Sequence, residues 1–239
     1  MKAKYRHELM DGWDKNKVGN TTVLIGGIGA TGSQAAVTLA RIGIGKIIVI
    51  DNDVLEEHNI GNQVYRRIQI GASKVDALKE IINEINSTRV VGVKGKVQNV
   101  DFDRLKPDVF FGNFDNHGAR FLLNYEAFMS KKPYIDVGIE NMTGSLRFVI
   151  PTKTACMECW SSLMKEQERK VGCSKQVIPT AYFVASYASN LQVTELLNYL
   201  FGREIHPMIY FDLEKGKTQP IQLELNEECE LCRTTHLAE

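Results

Sequence analysis

The sequence has no excess of either charge: 29 Lys and Arg stand against 29 Asp and Glu, a formal net charge of +0 at pH 7. Chains that coat nucleic acid or an anionic membrane usually carry a basic surplus, so there is no global argument for either partner and only a local patch could serve. Also lacking is an uninterrupted apolar run of bilayer length. The most apolar long window, Ile178 to Leu200, is broken by Ser186, Ser189, Asn190, Gln192 and Glu195 and reads as a buried helix. The N-terminal Met-Lys-Ala-Lys-Tyr-Arg-His-Glu has no apolar core of a secretory signal, which makes the cytoplasm the expected location. Repeats, low-complexity tracts and an evident interdomain linker are missing as well. Cysteine is sparse, at five residues, and in a reducing compartment disulfides are not expected.

What is present is an ordinary globular composition over 239 residues, 44% apolar and 24% charged, long enough for one well-buried core. The strongest signal is Val23-Leu-Ile-Gly-Gly-Ile-Gly-Ala-Thr-Gly-Ser, then a helical stretch, then Lys46-Ile-Ile-Val-Ile-Asp-Asn-Asp53. It predicts strand, glycine turn, helix, strand and acid. Gly27, Gly29 and Gly32, with Ala30 between, have the G-x-G-x-x-G spacing. Such a turn lets the backbone approach a phosphate while the helix N-terminus offers free N–H groups. Asp51 ends the second strand about where an acid reaches a ribose hydroxyl. In this context the pattern indicates a bound nucleotide without saying which.

Further along, Val54 to Gly71 is a polar connection. A helix is predicted from about Ser73 to Asn86, with Ser73 and Asp76 as a capping box. Lys74 falls in its first turn, where the dipole favours an acid, so the placement suggests an anion; on this residue alone a solvated lysine is the commoner reading. Strands are predicted at Arg89–Val97, at Pro107–Gly112, apolar after Asp108, and at Pro133–Val137, with a helix from Gly118 to Ser130. Asn113-Phe-Asp115-Asn116 then sits at a strand's C-terminal end, where open α/β sheets bind ligands. After Gly138 the pattern turns antiparallel, with strands near Gly144–Ile150, Pro207–Leu213 and Thr218–Leu225. The long helix starts with Pro179 in its first turn and stops at Gly202.

Cys156-Met-Glu-Cys159 and Cys229-Glu-Leu-Cys232 are both C-x-x-C. Two such pairs supply four thiolates to one tetrahedral zinc ion, a closed structural site that ties the C-terminal end back to the body. Buried free thiols or a redox dithiol are the competing readings. Cys173 is left over.

Placed together, these motifs resemble those of the ubiquitin-activating-enzyme-like family, whose simpler members include ThiF, MoeB and HesA. The resemblance rests on the glycine turn, Asp51-Asn-Asp53, Asn59-Ile-Gly-Asn62-Gln63, Gly71-Ala-Ser-Lys74, Asp115-Asn116 with Arg120, and the two cysteine pairs. Gly172-Cys173-Ser-Lys-Gln-Val-Ile-Pro179-Thr180 is similar to the helix start of the activating enzyme of the ubiquitin-fold modifier pathway. The resemblance implies an α/β fold: a Rossmann-like, mostly parallel sheet with helices on both faces, continued by an antiparallel extension. It implies one adenylation domain over 1–239, with an arm at 1–20 and a crossover loop at about 160–178 carrying Cys173.

The implied chemistry is adenylation, by ATP, of the C-terminal glycine of a ubiquitin-like or sulfur-carrier protein ending in Gly-Gly. Gly27, Gly29, Ala30 and Gly32 would hold phosphates, and Asp51, with Asp53, would take the ribose side. Asn59, Asn62, Gln63 and Lys74 would line the phosphate path. Asp115 would hold Mg²⁺, with Asn116 beside the nucleotide. Cys173 would receive the acyl group as a thioester or acyl-persulfide, with Lys170 and Lys175 close in sequence to lower its pKa. A homodimer is implied, with a conjugating enzyme or a sulfurtransferase downstream.

Two positions depart from the family pattern. Asn62 stands where an arginine is usual, leaving Arg66 or Arg67 as substitutes, and His7 stands in the arginine slot of Lys4-Tyr5-Arg6-His7-Glu8. These motivate a second reading, a nucleotide-binding partner subunit without turnover. A third, an NAD-dependent oxidoreductase, leaves Lys74, Asp115 and the cysteines unexplained. A fourth keeps adenylation but acts on modified tRNA, which the neutral charge does not favour.

Overall fold

The computed structural model describes residues 5–160, 179–226 and 228–234. One eight-stranded sheet organises them, in the order β3-β2-β1-β4-β5-β6-β7-β8. Its strands are β1 (Thr22–Gly26), β2 (Lys46–Asp51), β3 (Arg89–Lys94), β4 (Val109–Gly112), β5 (Tyr134–Glu140), β6 (Thr143–Val149), β7 (Met208–Asp212) and β8 (Lys217–Ile221). Strands β1 to β5 pair in parallel, and β5 to β8 pair antiparallel. The parallel half places β1 between β2 and β4, so the chain leaves β1 towards one side and returns to β4 on the other. That reversal opens a crevice at the C-terminal ends of β1 and β4, the usual ligand position in such sheets.

The helices are α1 (Lys15–Asn20), α2 (Ala30–Arg41), α3 (Lys74–Ile85), α4 (Phe102–Leu105), α5 (His117–Met129), α6 (Tyr182–Phe201) and α7 (Glu230–Thr234). Strand side chains alternate between faces. Val23, Ile25, Ile47, Val49, Val109 and Phe111 join one buried cluster with α2, α3 and α6. Leu24, Ile48, Ile50, Phe110 and Tyr134 join another with α5 and the cysteines. Covered on both faces, the central strands need the near-continuous apolar sequence they have. Small residues on α2 (Ala35, Ala36) and α6 (Ala185, Ala188) are fully buried, which lets these two helices lie close together. Among the described residues no helix is long and apolar enough to cross a membrane.

Several local expectations need correction. Ser73 is the N-cap of α3, but its side chain caps nothing; Asp76 instead pairs with Lys94 across to the end of β3, so the expected capping box is not formed. Pro179 is not in the first turn of α6. Ala181 is the N-cap, and Pro179 uses its carbonyl to accept Asn141 N–H, fastening the approach to the β5–β6 hairpin. Gly202 does end that helix, at φ +69. The expected arm contributes a single 3-10 turn, Arg6–Leu9, and the short α1.

Candidate functional site

The glycine turn is built by close backbone approach. A Cβ on Gly32 would lie 1.9 Å from the Gly27 carbonyl oxygen, so only glycine lets α2 start this near the turn. Gly27 has φ +81, and its N–H donates to Ile50 O at 2.9 Å. A Cβ there would sit 2.8 Å from Asn113 O, so the ends of β1 and β4 also converge at this point. Gly29 is the N-cap of α2, and Ala30 is its first residue. Above the turn, only Gln63 Nε2, at 4.0 Å, approaches the position a Gly29 Cβ would take.

Asp51, at the end of β2, is buried. One carboxylate oxygen accepts Ile28 N–H and the other accepts Asp53 N–H, each at 2.8 Å. Burial pushes its pKa up, against the pull of the Lys74 cation and those two N–H donors. The carboxylate therefore braces the glycine turn, whatever else it binds. Tyr65 adds a second brace through its hydroxyl to Ile28 O at 2.8 Å. Burial and the nearby Asp51 and Asp53 hold that phenol well above its ordinary pKa, so it stays a donor.

Lys74 is not a solvated lysine. Its side chain is 7% exposed and its ammonium is 2.7 Å from Asp53 Oδ2, while its own N–H donates to Asp53 O. A buried ammonium held by a half-exposed acid is well suited to meet an anion. Asn59 is buried as well, but it is spent locally, its Oδ1 accepting Glu56 N–H at 2.9 Å. Asn62 Oδ1 and Gln63 Oε1 are buried without a hydrogen-bond partner among the described residues. Unpartnered polar atoms of this kind mark groups waiting for water or ligand.

On the β4 side, Asp115 and Asn116 are exposed in the turn before α5. Asn116 caps that helix, its Oδ1 accepting Ala119 N–H at 2.8 Å. Asn113 links three elements: its Nδ2 donates to Thr31 Oγ1 at 3.0 Å and to Gln192 Oε1 at 3.1 Å. The end of β4, the first turn of α2 and α6 are thus locked into one polar web. Tyr65 and Gln192 belong to no motif and Thr31 fills a variable position of the glycine motif, so only their burial marks them. The structure brings Asp51, Asp53, Gln63 and Lys74 together with the glycine turn, keeps Asn62 beside Gln63, and sets Asp115 and Asn116 in the turn between β4 and α5. Cys173, with Lys170 and Lys175, lies outside the described residues.

The expected arginine substitutes are engaged elsewhere. Arg66 makes a forked pair with Glu84 at 2.9 and 3.1 Å, and Arg67 pairs with Glu57 at 2.8 Å. The arm lies at the opposite end of the sheet: Tyr5, His7 and Trp13 line a cleft of about 390 Å³ with Gly19, Asn20 and the 42–45 loop, which precede the N-terminal ends of β1 and β2. His7 stacks on Tyr5 and packs against Trp13. Neither His7 nor Arg6 reaches its own chain's glycine turn.

Below α5, Cys156, Cys159, Cys229 and Cys232 converge, with all four sulfurs within 4.8 Å of one another. They form no disulfide. Four of the separations are 3.8 Å (Cys156–Cys159), 3.5 Å (Cys156–Cys229), 3.6 Å (Cys159–Cys232) and 3.5 Å (Cys156–Cys232). A tetrahedron with Zn–S of about 2.3 Å has edges of about 3.8 Å, so the cluster fits zinc closely. Burial pushes the Cys232 thiol up to about 12 and the Cys156 thiol up as well. Without a metal these would be protonated thiols; a dication would turn them into thiolate ligands.

The family described as the ThiF family matches residues 3–231. Ubiquitin-like modifier-activating enzyme 5 of Caenorhabditis briggsae is 27% identical over 220 residues, covering 82% of this chain and 50% of that protein. The protein of the same name from Oryza sativa subsp. japonica is 25% identical over 253 residues, covering 95% of this chain and 59% of its own length. Protein HesA of Leptolyngbya boryana is 28% identical over 175 residues, covering 70% and 63%. The chain therefore spans little more than half the length of these relatives. Among solved structures, E. coli MccB with ATP superposes with a TM-score of 0.78 at 24% identity, over 91% of this chain and 68% of that one, a likeness of fold.

Proposed function

Because the chain belongs to the ThiF family, we propose that it activates a carboxylate with ATP, adenylating the C-terminal glycine of a ubiquitin-like or sulfur-carrier protein that ends in Gly-Gly. The observation that carries this reading is the buried Lys74 ammonium, held by Asp53 beside a glycine turn too tight for any side chain at Gly32. A carboxylate attacking an α-phosphate brings like charges together, so the site must neutralise and align them. The turn and the N-terminus of α2 receive phosphate oxygens, and Lys74 supplies a fixed positive charge. Asp51 and Asp53 take the ribose side, with Asn59 shaping the wall and Asn62 and Gln63 bringing buried amides whose oxygens have no partner among the described residues. Asp115, exposed in the turn between β4 and α5, would hold Mg²⁺ with Asn116 beside it, and the ion would supply charge neutralisation when bound. The carrier's carboxylate oxygen forms a bond to the α-phosphorus, the bond to the bridging oxygen breaks, and pyrophosphate leaves.

Cys173 is the acceptor in a second step: its thiolate attacks the acyl carbon, the C–S bond forms, and AMP departs. In a sulfur-transfer pathway Cys173 would first receive a sulfane sulfur from the persulfide of a sulfurtransferase, and its terminal sulfur would then attack the acyl carbon and displace AMP, giving an acyl-persulfide. The whole of 1–239 acts as one adenylation domain, working as a homodimer in the cytoplasm, with zinc on the four cysteines fixing the C-terminal end. Dimerisation suits the arm, which lies far from its own glycine turn and could serve only a second copy's.

The test is ATP–pyrophosphate exchange with a β-grasp protein ending in Gly-Gly. Exchange that requires the carrier's terminal glycine supports the reading; ATP binding without exchange against a panel of such carriers refutes it. One observation favours a second reading, a nucleotide-binding subunit without turnover: Arg66 and Arg67 are both committed to surface acids, and Asn62 replaces the usual arginine. In that case Asp115→Ala would leave the biological activity intact.

A further inference from the structure

Asp115 has a position in this fold but no side-chain partner among the described residues, so what places its carboxylate is the backbone of the turn that carries it. That backbone is pinned at three points. Asn113 N–H donates to Gly26 O at 2.9 Å at the front, and Asn116 caps α5 behind. Between them Arg120 reaches back along α5, and its Nε donates to Phe114 O at 2.6 Å, the carbonyl directly before Asp115.

The guanidinium is itself fixed on every side. Nη1 meets Asp136 Oδ2 at 3.1 Å, and Nη2 donates to Val137 O at 2.9 Å. The other oxygen of Asp136 accepts the Tyr134 hydroxyl at 2.8 Å. Asp136 and Tyr134 are buried, and Tyr134's hydroxyl lies so close over Gly112 that a Cβ there would be 2.0 Å from it. A continuous chain of hydrogen bonds thus runs from β5 through Tyr134, Asp136 and Arg120 to the turn on β4. Burying an ion pair is weak ground for stability, because desolvation offsets the attraction. What this pair does provide is a planar fork with three donors aimed at three fixed acceptors, a geometry lysine cannot reproduce. Arg120 also neutralises Asp136, leaving Asp115 as the carboxylate of this turn available to a cation.

We infer that Arg120, with Asp136 and Tyr134 behind it, is a positioning device for the metal-binding carboxylate of Asp115. It sets the divalent-cation affinity of the nucleotide complex without touching nucleotide or metal. This rests on the assignment of Mg²⁺ to Asp115 made above.

The experiment measures Mn²⁺ binding to the full chain with ATP, by loss of the free-ion EPR signal, alongside ATP affinity without divalent metal. Outer-shell changes typically cost about 10–100-fold in metal affinity. Arg120→Lys is expected to weaken Mn²⁺ by about tenfold, while metal-free ATP affinity stays within about twofold and the melting temperature holds. Asp136→Asn, which keeps the volume and an acceptor for Tyr134, should act in the same direction and serves if Arg120→Lys does not fold. Asp115→Asn should weaken Mn²⁺ strongly, and adding Arg120→Lys to it should cause no further loss, because the two act through one carboxylate. Unchanged Mn²⁺ affinity in the folded Arg120→Lys protein, or losses that simply add in the double variant, would overturn the inference. If Asp115→Asn itself binds Mn²⁺ as wild type does, the metal assignment falls, and the inference with it. The readout does not depend on turnover, so failure of pyrophosphate exchange alone would count against the proposed reaction and not against this device.

Discussion

Replacing Gly32 with alanine is the most informative single perturbation of the site. The added Cβ would stand 1.9 Å from Gly27 O, 3.0 Å from Gly27 C and 3.1 Å from the Asn113 side chain. Cβ atoms essentially never approach within 3.0 Å of another atom, so the turn and the first turn of α2 must separate by about 1 Å, and backbone cannot swing aside as a side-chain tip would. Overpacking of this kind costs about 1–3 kcal/mol. For a domain of this size each kcal/mol lowers the melting temperature by about 2–4 °C, so a drop of about 4–8 °C is the central expectation. The functional loss should be larger, because a displacement of about 1 Å in a positioning element costs about a hundredfold. The contrast is Gly29→Ala, whose methyl meets no backbone and only Gln63 Nε2 at 4.0 Å. That variant should melt near wild type yet bind ATP weakly, its methyl occupying the space above the turn. Differential scanning calorimetry and ATP titration on both proteins decide the matter. A Gly32→Ala protein with wild-type melting and wild-type ATP affinity would refute the idea that close approach at this turn builds the phosphate site.

Other expectations follow from the same geometry. Lys74→Met should change stability by no more than about 1 kcal/mol, because Asp53 is 56% exposed and its pairing is screened, but it should lower exchange by about 10²–10³-fold. Asp51 is held above its ordinary carboxylate value, so it binds its proton more tightly folded than unfolded, and stability falls as pH rises from that ordinary value to its folded one. Losing Lys74, which lowers it, should extend that decline to higher pH in a melting-temperature profile. Stripping zinc with a chelator should destabilise the chain, and because the Cys232 thiol lies near 12 without metal and Cys156 is also raised, rebinding must release protons. The apparent zinc affinity, followed with a colorimetric chelator, should therefore fall about tenfold per unit of pH for each proton displaced as pH drops. Cys173→Ala should keep pyrophosphate exchange while abolishing any thiol-sensitive adduct on gels.

Much of the architecture was legible because its signals are local. Continuous apolar runs marked the central strands and looser apolar patterning the outer ones, with ends shifted by one to four residues where, as at Pro107, Asp108 and Gln222 to Leu225, the residues lie outside the ladder. The two C-x-x-C pairs foretold a four-sulfur cluster across a long stretch of chain, because each spacing sets two thiols on one side of a tetrahedral metal site. The hidden parts are interactions between distant positions. Lys74 read most simply as solvated, since nothing near it in sequence says that Asp53 will meet it. Asp136 looked like one residue of a strand, and its tie to Arg120 exists only once β5 lies beside β4. The Ser73–Asp76 capping pattern misled because the acid found a stronger partner in Lys94, a lysine that β3 brings alongside.

The central claim is that ATP is consumed at its α-phosphate by a protein carboxylate. Intact mass spectrometry of a Gly-Gly carrier incubated with this chain and Mg·ATP tests it most directly. The account predicts a carrier population heavier by one AMP, released on adding hydroxylamine, with AMP and pyrophosphate as the small products. A carrier of unchanged mass, with ADP and phosphate formed in place of AMP, would contradict it.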